Sequence, residues 1–239
     1  MTLNLSQEVL NRRTFNQNIL NLHSTSYMLS RTPPFLSKDK IALDIGAAVG
    51  MYSSFWTKYC KFVYSYEAVP PIFTQLQNTA KSYDNMVPIN VAMSDKVGTS
   101  KFFVDDKRLS NNSFTNLVGG QEIEVETTTI DNENHNNVGF IKVDVEGHEL
   151  AVLRGGLETI ERDRPVCMVE IYPKFNDGPI EDTFNFFFER NYNCFYNIRS
   201  NGLERVLDTE HGADIANDEK LLPDHDGDFL FVPEESRWL

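Results

Sequence analysis

The stretch 43–50, Leu-Asp-Ile-Gly-Ala-Ala-Val-Gly, constrains the fold more than any other. An apolar run at 41–45 ends in Gly46, and a helical stretch follows over about 50–59. Gly46 permits a sharp reversal, because glycine adopts positive φ without steric cost. Ala47 and Ala48 are small enough for a ligand to approach the backbone. Gly50 leads into the helix, whose N-terminus offers free N–H groups and the positive end of a dipole. A carboxylate or a pyrophosphate fits such a turn.

The same alternation continues along the chain. Strands are expected at 62–67, 87–91, 140–145, 165–171, 194–198 and 228–232, and helices at 71–81, 148–161 and 180–190. Pro70 and Pro71 suit the opening of the 71–81 helix. The segment 99–129 reads as β-rich, with strands at 101–104 and 122–126 around a polar loop. Alternating strands and helices predict an α/β fold, a mostly parallel sheet with helices on both faces. Ligands bind such sheets beyond the carboxyl ends of the strands, which makes every acidic residue there a site candidate.

Residues 1–38 differ. They are polar and Asn-rich, with Leu5, Val9, Leu10, Phe15, Ile19, Leu20 and Leu22 at amphipathic helical spacing, and Pro33-Pro34 stops any helix. We expect an N-terminal helical cap over 1–38 and one domain over 39–239. No apolar run reaches the roughly 18–20 residues of a membrane span, and the first residues lack an apolar signal core. Cys60, Cys167 and Cys194 are odd in number and widely spaced, which fits reduced packing residues in a cytoplasmic protein. The net charge of −13 disfavours bulk nucleic-acid binding.

Glu67 closes the second strand, 23 residues after Asp44. A carboxylate at that spacing accepts hydrogen bonds from a ribose diol, so turn and acid together indicate a nucleoside-containing cofactor. A dinucleotide turn requires a second glycine where this chain has Ala48. Asp44 would repel a pyrophosphate and attract a cationic end, an α-ammonium or a sulfonium. That pattern, D-x-G-x-x-x-G, favours S-adenosylmethionine over NAD.

At this point the chain resembles the FkbM family of S-adenosylmethionine-dependent methyltransferases. The resemblance rests on LDIGAAVGMYS at 43–53, YSYEAVP at 64–70, INVAMSDKVG at 89–98, IKVDVEGHELAVLRGG at 141–156 and PVCMVEIY at 165–172. Ala48 departs from the asparagine common in the family. The resemblance implies a class I methyltransferase (Rossmann-like) fold, a seven-stranded sheet with a final antiparallel pair, for which 194–198 and 228–232 are candidates. It also implies O-methylation of a sugar, glycan or small metabolite. Expected cofactor contacts are Asp44, Gly46, Ala47, Gly50, Glu67, Ala68 and Asp144, with Tyr52 and Ser53 near the methionine end and Ser94 and Asp95 near the adenine.

Methyl transfer needs an aligned hydroxyl and a proton acceptor. The candidates are Asp144, Glu146 and His148. Asp144 and Glu146 would point the same way along a strand, and His148 at a helix N-terminus would stay neutral. Either Asp144 or His148 is then the base, with Glu146 positioning the acceptor. Glu149 in the first helical turn suits the dipole. Glu170, ending the next strand, comes near Asp144, and such carboxylates could bind Mg2+, a secondary expectation. The loop at 105–120 and the cap are expected to shape the acceptor pocket. The 225–228 stretch reads as a turn, and 184–188 as core. Rival readings are a NAD-dependent oxidoreductase, a non-catalytic S-adenosylmethionine-binding protein and a nucleic-acid methyltransferase. The last lacks its N/D-P-P-Y/F motif.

Overall fold

A computed structural model describes residues 27–104, 121–176, 178–198, 202–218 and 227–236. Most of the expected N-terminal cap and the 105–120 loop lie outside these residues, as do His225 and Asp226.

The main sheet begins with β1 (Ile41–Ile45), buried along its whole length. Helix α2 (Met51–Trp56) follows, then β2 (Phe62–Tyr66), α3 (Pro70–Ala80) and β3 (Met86–Ile89). Helix α1 (Tyr27–Arg31) precedes them. Strand β7 (Val138–Val143) leads to α4 (Glu149–Arg154), α5 (Leu157–Asp163), β8 (Val166–Glu170) and α6 (Glu181–Phe188). The chain closes with β9 (Tyr192–Ile198), β10 (Gly202–Val206), α7 (Thr209–Asn217) and β11 (Asp228–Pro233). The strand order is β10-β9-β11-β8-β7-β1-β2-β3. From β3 to β8 all neighbours are parallel, whereas β11 runs antiparallel to both β8 and β9. The expected class I architecture with a late antiparallel pair is present.

Alternation along each strand builds two cores. Leu43, Ile45, Ile141, Val143, Cys167, Val169, Phe229 and Phe231 face one side, where Phe184 and Phe187 of α6 cover them. The Phe187 ring stacks on Phe231 at 3.9 Å. Ala42, Phe140, Met168 and Leu230 face the other side, under Trp56 of α2. The Trp56 indole N–H donates to Thr32 Oγ1 at 2.9 Å, and Met28, Leu29 and Leu36 join the same cluster. The described end of the cap region is thus packed into the core of the main domain.

Four expectations change. The sheet has eight strands instead of seven, because β10 pairs antiparallel with β9 as an added edge. The expected third strand stops at Ile89. The Asn90 side chain bonds the carbonyls of Glu67 and Ala68 instead, and β4 (Ala92–Met93) joins β5 (Gly98–Val104) and β6 (Gln121–Thr128) in a separate sheet. The helix expected over 148–161 breaks into α4 and α5 at Gly155-Gly156. A Cβ on Gly155 would stand 2.2 Å from the Ser94 carbonyl oxygen, and one on Gly156 2.7 Å from Ile130. Asp131 then caps the restarted helix, accepting from the N–H groups of Glu158 (3.1 Å) and Thr159 (2.8 Å). Helix α7 is the fourth, read in the sequence as no element.

Cys60, Cys167 and Cys194 are buried free thiols. Among the described residues no helix is long and apolar enough to cross a membrane.

Candidate functional site

The carboxyl ends of β1, β2 and β7 meet around the glycine turn. Gly46 has φ +78°, and a Cβ there would lie 1.8 Å from the carbonyl oxygen of Asp144. The N–H groups of Gly46 and Ala47 both donate to the Tyr66 carbonyl, at 3.1 and 2.9 Å. Ala48 is also left-handed, with φ 49°. Its N–H donates to Glu67 Oε2 at 3.0 Å, and Val69 N–H donates to Glu67 Oε1 at 2.8 Å. Two backbone amides thus hold the nearly buried Glu67 carboxylate against the turn. Ala68 follows at the rim, and Gly50 (φ +87°) caps α2 with Met86 and Leu76 filling the space of a side chain.

Asp44 is only 1% exposed, beneath the turn. Its Oδ2 accepts from the Ser53 N–H at 3.0 Å and from the Ser53 hydroxyl. Ser65 donates to Ser53 Oγ at 2.7 Å. Ser53 lies in the first turn of α2, so Asp44 satisfies a helix N–H that has no partner within the helix. Asp44 therefore braces the turn from below, joined to Ser53. Burial raises its pKa above the ordinary carboxyl value, against the pull of Lys142.

Beyond β7 stands a second acidic turn. Strand β7 ends at Val143, so Asp144 and Glu146 do not share a strand face as the period-two reading expected. They converge through a turn in which Glu146 has φ 52° and Gly147 φ +93°. A Cβ on Gly147 would stand 2.0 Å from the Phe175 carbonyl oxygen. Glu149 fixes this turn from within, accepting from the N–H groups of Gly147 (2.9 Å) and Val145 (3.3 Å). Burial pushes the Glu149 carboxyl up to about 7.

Carboxylate oxygens of Asp144, Glu146 and Glu170 all lie within 4.8 Å of one another. Asp228 is the register partner of Glu170 across β11–β8. Burial raises Glu170 well above the usual carboxylate range, and the charges of Asp144, Glu146 and Asp228 raise it further. The Lys142 ammonium, 2.8 Å from Asp144 Oδ2, partly balances this group.

His148 sits at the start of α4. Its Nε2 and Ser94 Oγ share a hydrogen bond of 2.9 Å, and Ser94 Oγ lies 3.3 Å from Asp95 Oδ1. Burial lowers the His148 pKa, opposed by Asp95. The structure therefore groups His148 with the two residues expected near an adenine. Tyr52 joins the brace under the turn, its ring 5.0 Å from Lys142 Nζ.

Sequence reasoning did not single out Lys142 or Asn90, and read Asp228 as the residue that joins a turn to the last strand, not as part of the site. Lys142 had a visible signal: a lysine inside the apolar run Phe-Ile-Lys-Val must be paired if it is buried.

A family model described as the Methyltransferase FkbM domain matches residues 44–194. No curated protein matches the chain. Among solved structures, methyltransferase FkbM from Methylobacillus flagellatus KT matches with a TM-score of 0.55 at 16% identity, covering 82% of this chain. The chain spans 44% of that protein's length. An rRNA methylase from Streptococcus thermophilus gives a TM-score of 0.45 at 11% identity, covering 85% of this chain and 91% of its own. TrmK from M. capricolum, in complex with S-adenosyl-homocysteine, gives 0.40 at 10% identity, covering 72% of this chain and 63% of its own. The M. flagellatus structure shares the fold. The family model takes in both turns, at 44–50 and at 144–149, and extends over more than half of the sequence: this chain belongs to the FkbM methyltransferase family.

Proposed function

We propose that the protein is an S-adenosylmethionine-dependent O-methyltransferase acting on a hydroxyl of a sugar, glycan or small metabolite. The observation that carries this reading is Glu67 held by the Ala48 and Val69 amides, with the Asp144 backbone packed against Gly46. A nucleoside ribose fits the first, and a donor extending along the turn reaches the second. When bound, the donor supplies an electrophilic methyl group.

The chain's own residues do the rest. Gly46, Ala47 and Gly50 shape the turn against which the donor lies, and Asp44, Tyr52 and Ser53 brace that turn. Ala68, Ser94 and Asp95 line the nucleoside side. Asp144 or His148 takes the proton of the acceptor hydroxyl, and Glu146 positions it. Proton removal by a positioned base contributes roughly 10²–10⁴-fold. This reading does not favour Mg2+, because the Lys142 ammonium, 2.8 Å from Asp144 Oδ2, already balances part of the Asp144, Glu146 and Glu170 cluster that could otherwise hold it. The buried thiols fit a cytoplasmic location.

The test is binding followed by transfer. Calorimetry should show affinity for S-adenosylhomocysteine and none for NAD. Transfer of labelled methyl from S-adenosylmethionine to a panel of glycans and metabolite alcohols should persist in EDTA. It should fall by at least tenfold in Asp144→Ala, Glu146→Ala or His148→Ala. Binding of NAD alone, or unchanged turnover in all three folded variants, would overturn the reading.

A further inference from the structure

Lys142 is 3% exposed, in the middle of the sheet, and register-paired with Asp44 across β1–β7. Its Nζ lies 2.8 Å from Asp144 Oδ2 and 3.9 Å from Asp44 Oδ1, and over the Tyr52 ring at 5.0 Å. Asp44 Oδ1 is buried with no hydrogen-bond partner among the described residues, so the ammonium is the group that balances it. A buried charge is costly unless paired. Here one ammonium is shared between the carboxylate that braces the glycine turn and the carboxylate that closes β7. The other charged groups facing this pair are Glu146 from the turn, Glu149 from α4, Glu170 from β8 and Asp228 from β11, all acidic.

We infer that Lys142 is a positioning residue of the methyl-transfer site, whose ammonium holds the Asp144 carboxylate in place against its acidic neighbours and ties it to the Asp44–Ser53 brace of the donor turn. The inference rests on the donor reading proposed above. Burial alone would lower the lysine's pKa, but Asp144 and Asp44 more than offset it and hold the ammonium protonated. Lys142 then acts on the donor through Asp144, not by touching it.

A double-mutant cycle tests this, because residues acting through one contact are non-additive. S-adenosylmethionine affinity is measured by calorimetry in wild type, Lys142→Met, Asp144→Asn and the double variant, with thermal unfolding as the check on folding. Lys142→Met and Asp144→Asn should each weaken binding about tenfold or more, the double variant should be no weaker than the worse single, and Lys142→Arg should recover part of the loss. Additive losses, or a folded Lys142→Met within twofold of wild type, would overturn the inference. If Lys142→Met does not fold, the wild-type lysine ammonium is followed by 15N resonance. It should shift on saturation with S-adenosylmethionine and not in Asp144→Asn, and an unmoved wild-type signal overturns the inference. A wild type that binds no S-adenosyl compound would instead refute the donor reading itself.

Discussion

The Glu67 carboxylate accepts the Ala48 N–H at 3.0 Å, so the acid closing β2 is bonded to the turn that follows β1. Replacing Glu67 removes both this link and the ribose acceptor proposed above. Charge-assisted hydrogen bonds contribute roughly 1.5–3 kcal/mol. Glu67→Ala should therefore weaken S-adenosylhomocysteine binding by about 10–100-fold in calorimetry, with a smaller loss of thermal stability.

Gly46 meets two constraints at once, φ +78° and a Cβ position 1.8 Å from the Asp144 carbonyl oxygen. Left-handed backbone at a non-glycine residue costs roughly 1–3 kcal/mol, and the clash forces the β1 and β7 ends apart in addition. Gly46→Ala should lower the urea midpoint clearly and abolish donor binding. Unchanged stability and binding would show that the turn is not built as described.

Asp131 provides a contrast away from the site. Its carboxylate caps α5 through Glu158 and Thr159, and loss of such a cap costs about 1 kcal/mol. Asp131→Ala should lose that much in urea unfolding and keep wild-type donor affinity.

Glu149 makes stability depend on pH. Its carboxyl is pushed by burial from 4.5 to about 7. A group whose folded value is raised contributes its stability in full below its unfolded value and loses it as pH rises through the folded value. Glu149→Gln keeps an acceptor for the Gly147 and Val145 amides and removes the charge. Relative to wild type, Glu149→Gln should gain stability between pH 4.5 and 7, reaching at most about 3 kcal/mol at pH 8. Urea unfolding across that range reads the slope, and a flat difference would contradict it.

What was legible in the sequence is what local sterics and periodicity govern. Gly46 and Gly50 announce a strand-to-helix turn because few other residues tolerate that backbone, and the apolar run at 140–143 announces a buried strand. What was missed depends on distant contacts. At Gly155-Gly156, where the helix divides, Ser94 and Ile130 approach so closely that a Cβ would clash, a contact no local pattern shows. Helix α7 carries Gly212, a poor helix former, and is placed by packing on the Phe184 ring. The Gly-Leu-Glu-Arg-Val of β10 is a mixed, partly exposed edge without alternation. At the site, the acidic residues at strand ends were visible, but their partners were not. The sequence cannot show that Asp44 turns inward to Ser53, or that Lys142 crosses from β7 to join two carboxylates.

The central claim is that the turn after β1 and the acid after β2 hold an S-adenosyl donor. A crystal structure of the protein grown with S-adenosylhomocysteine tests it most directly. The account predicts the ribose hydroxyls on Glu67 and the sulfur directed toward the turn at 144–147. Density for the ligand elsewhere, with Glu67 untouched, would contradict it.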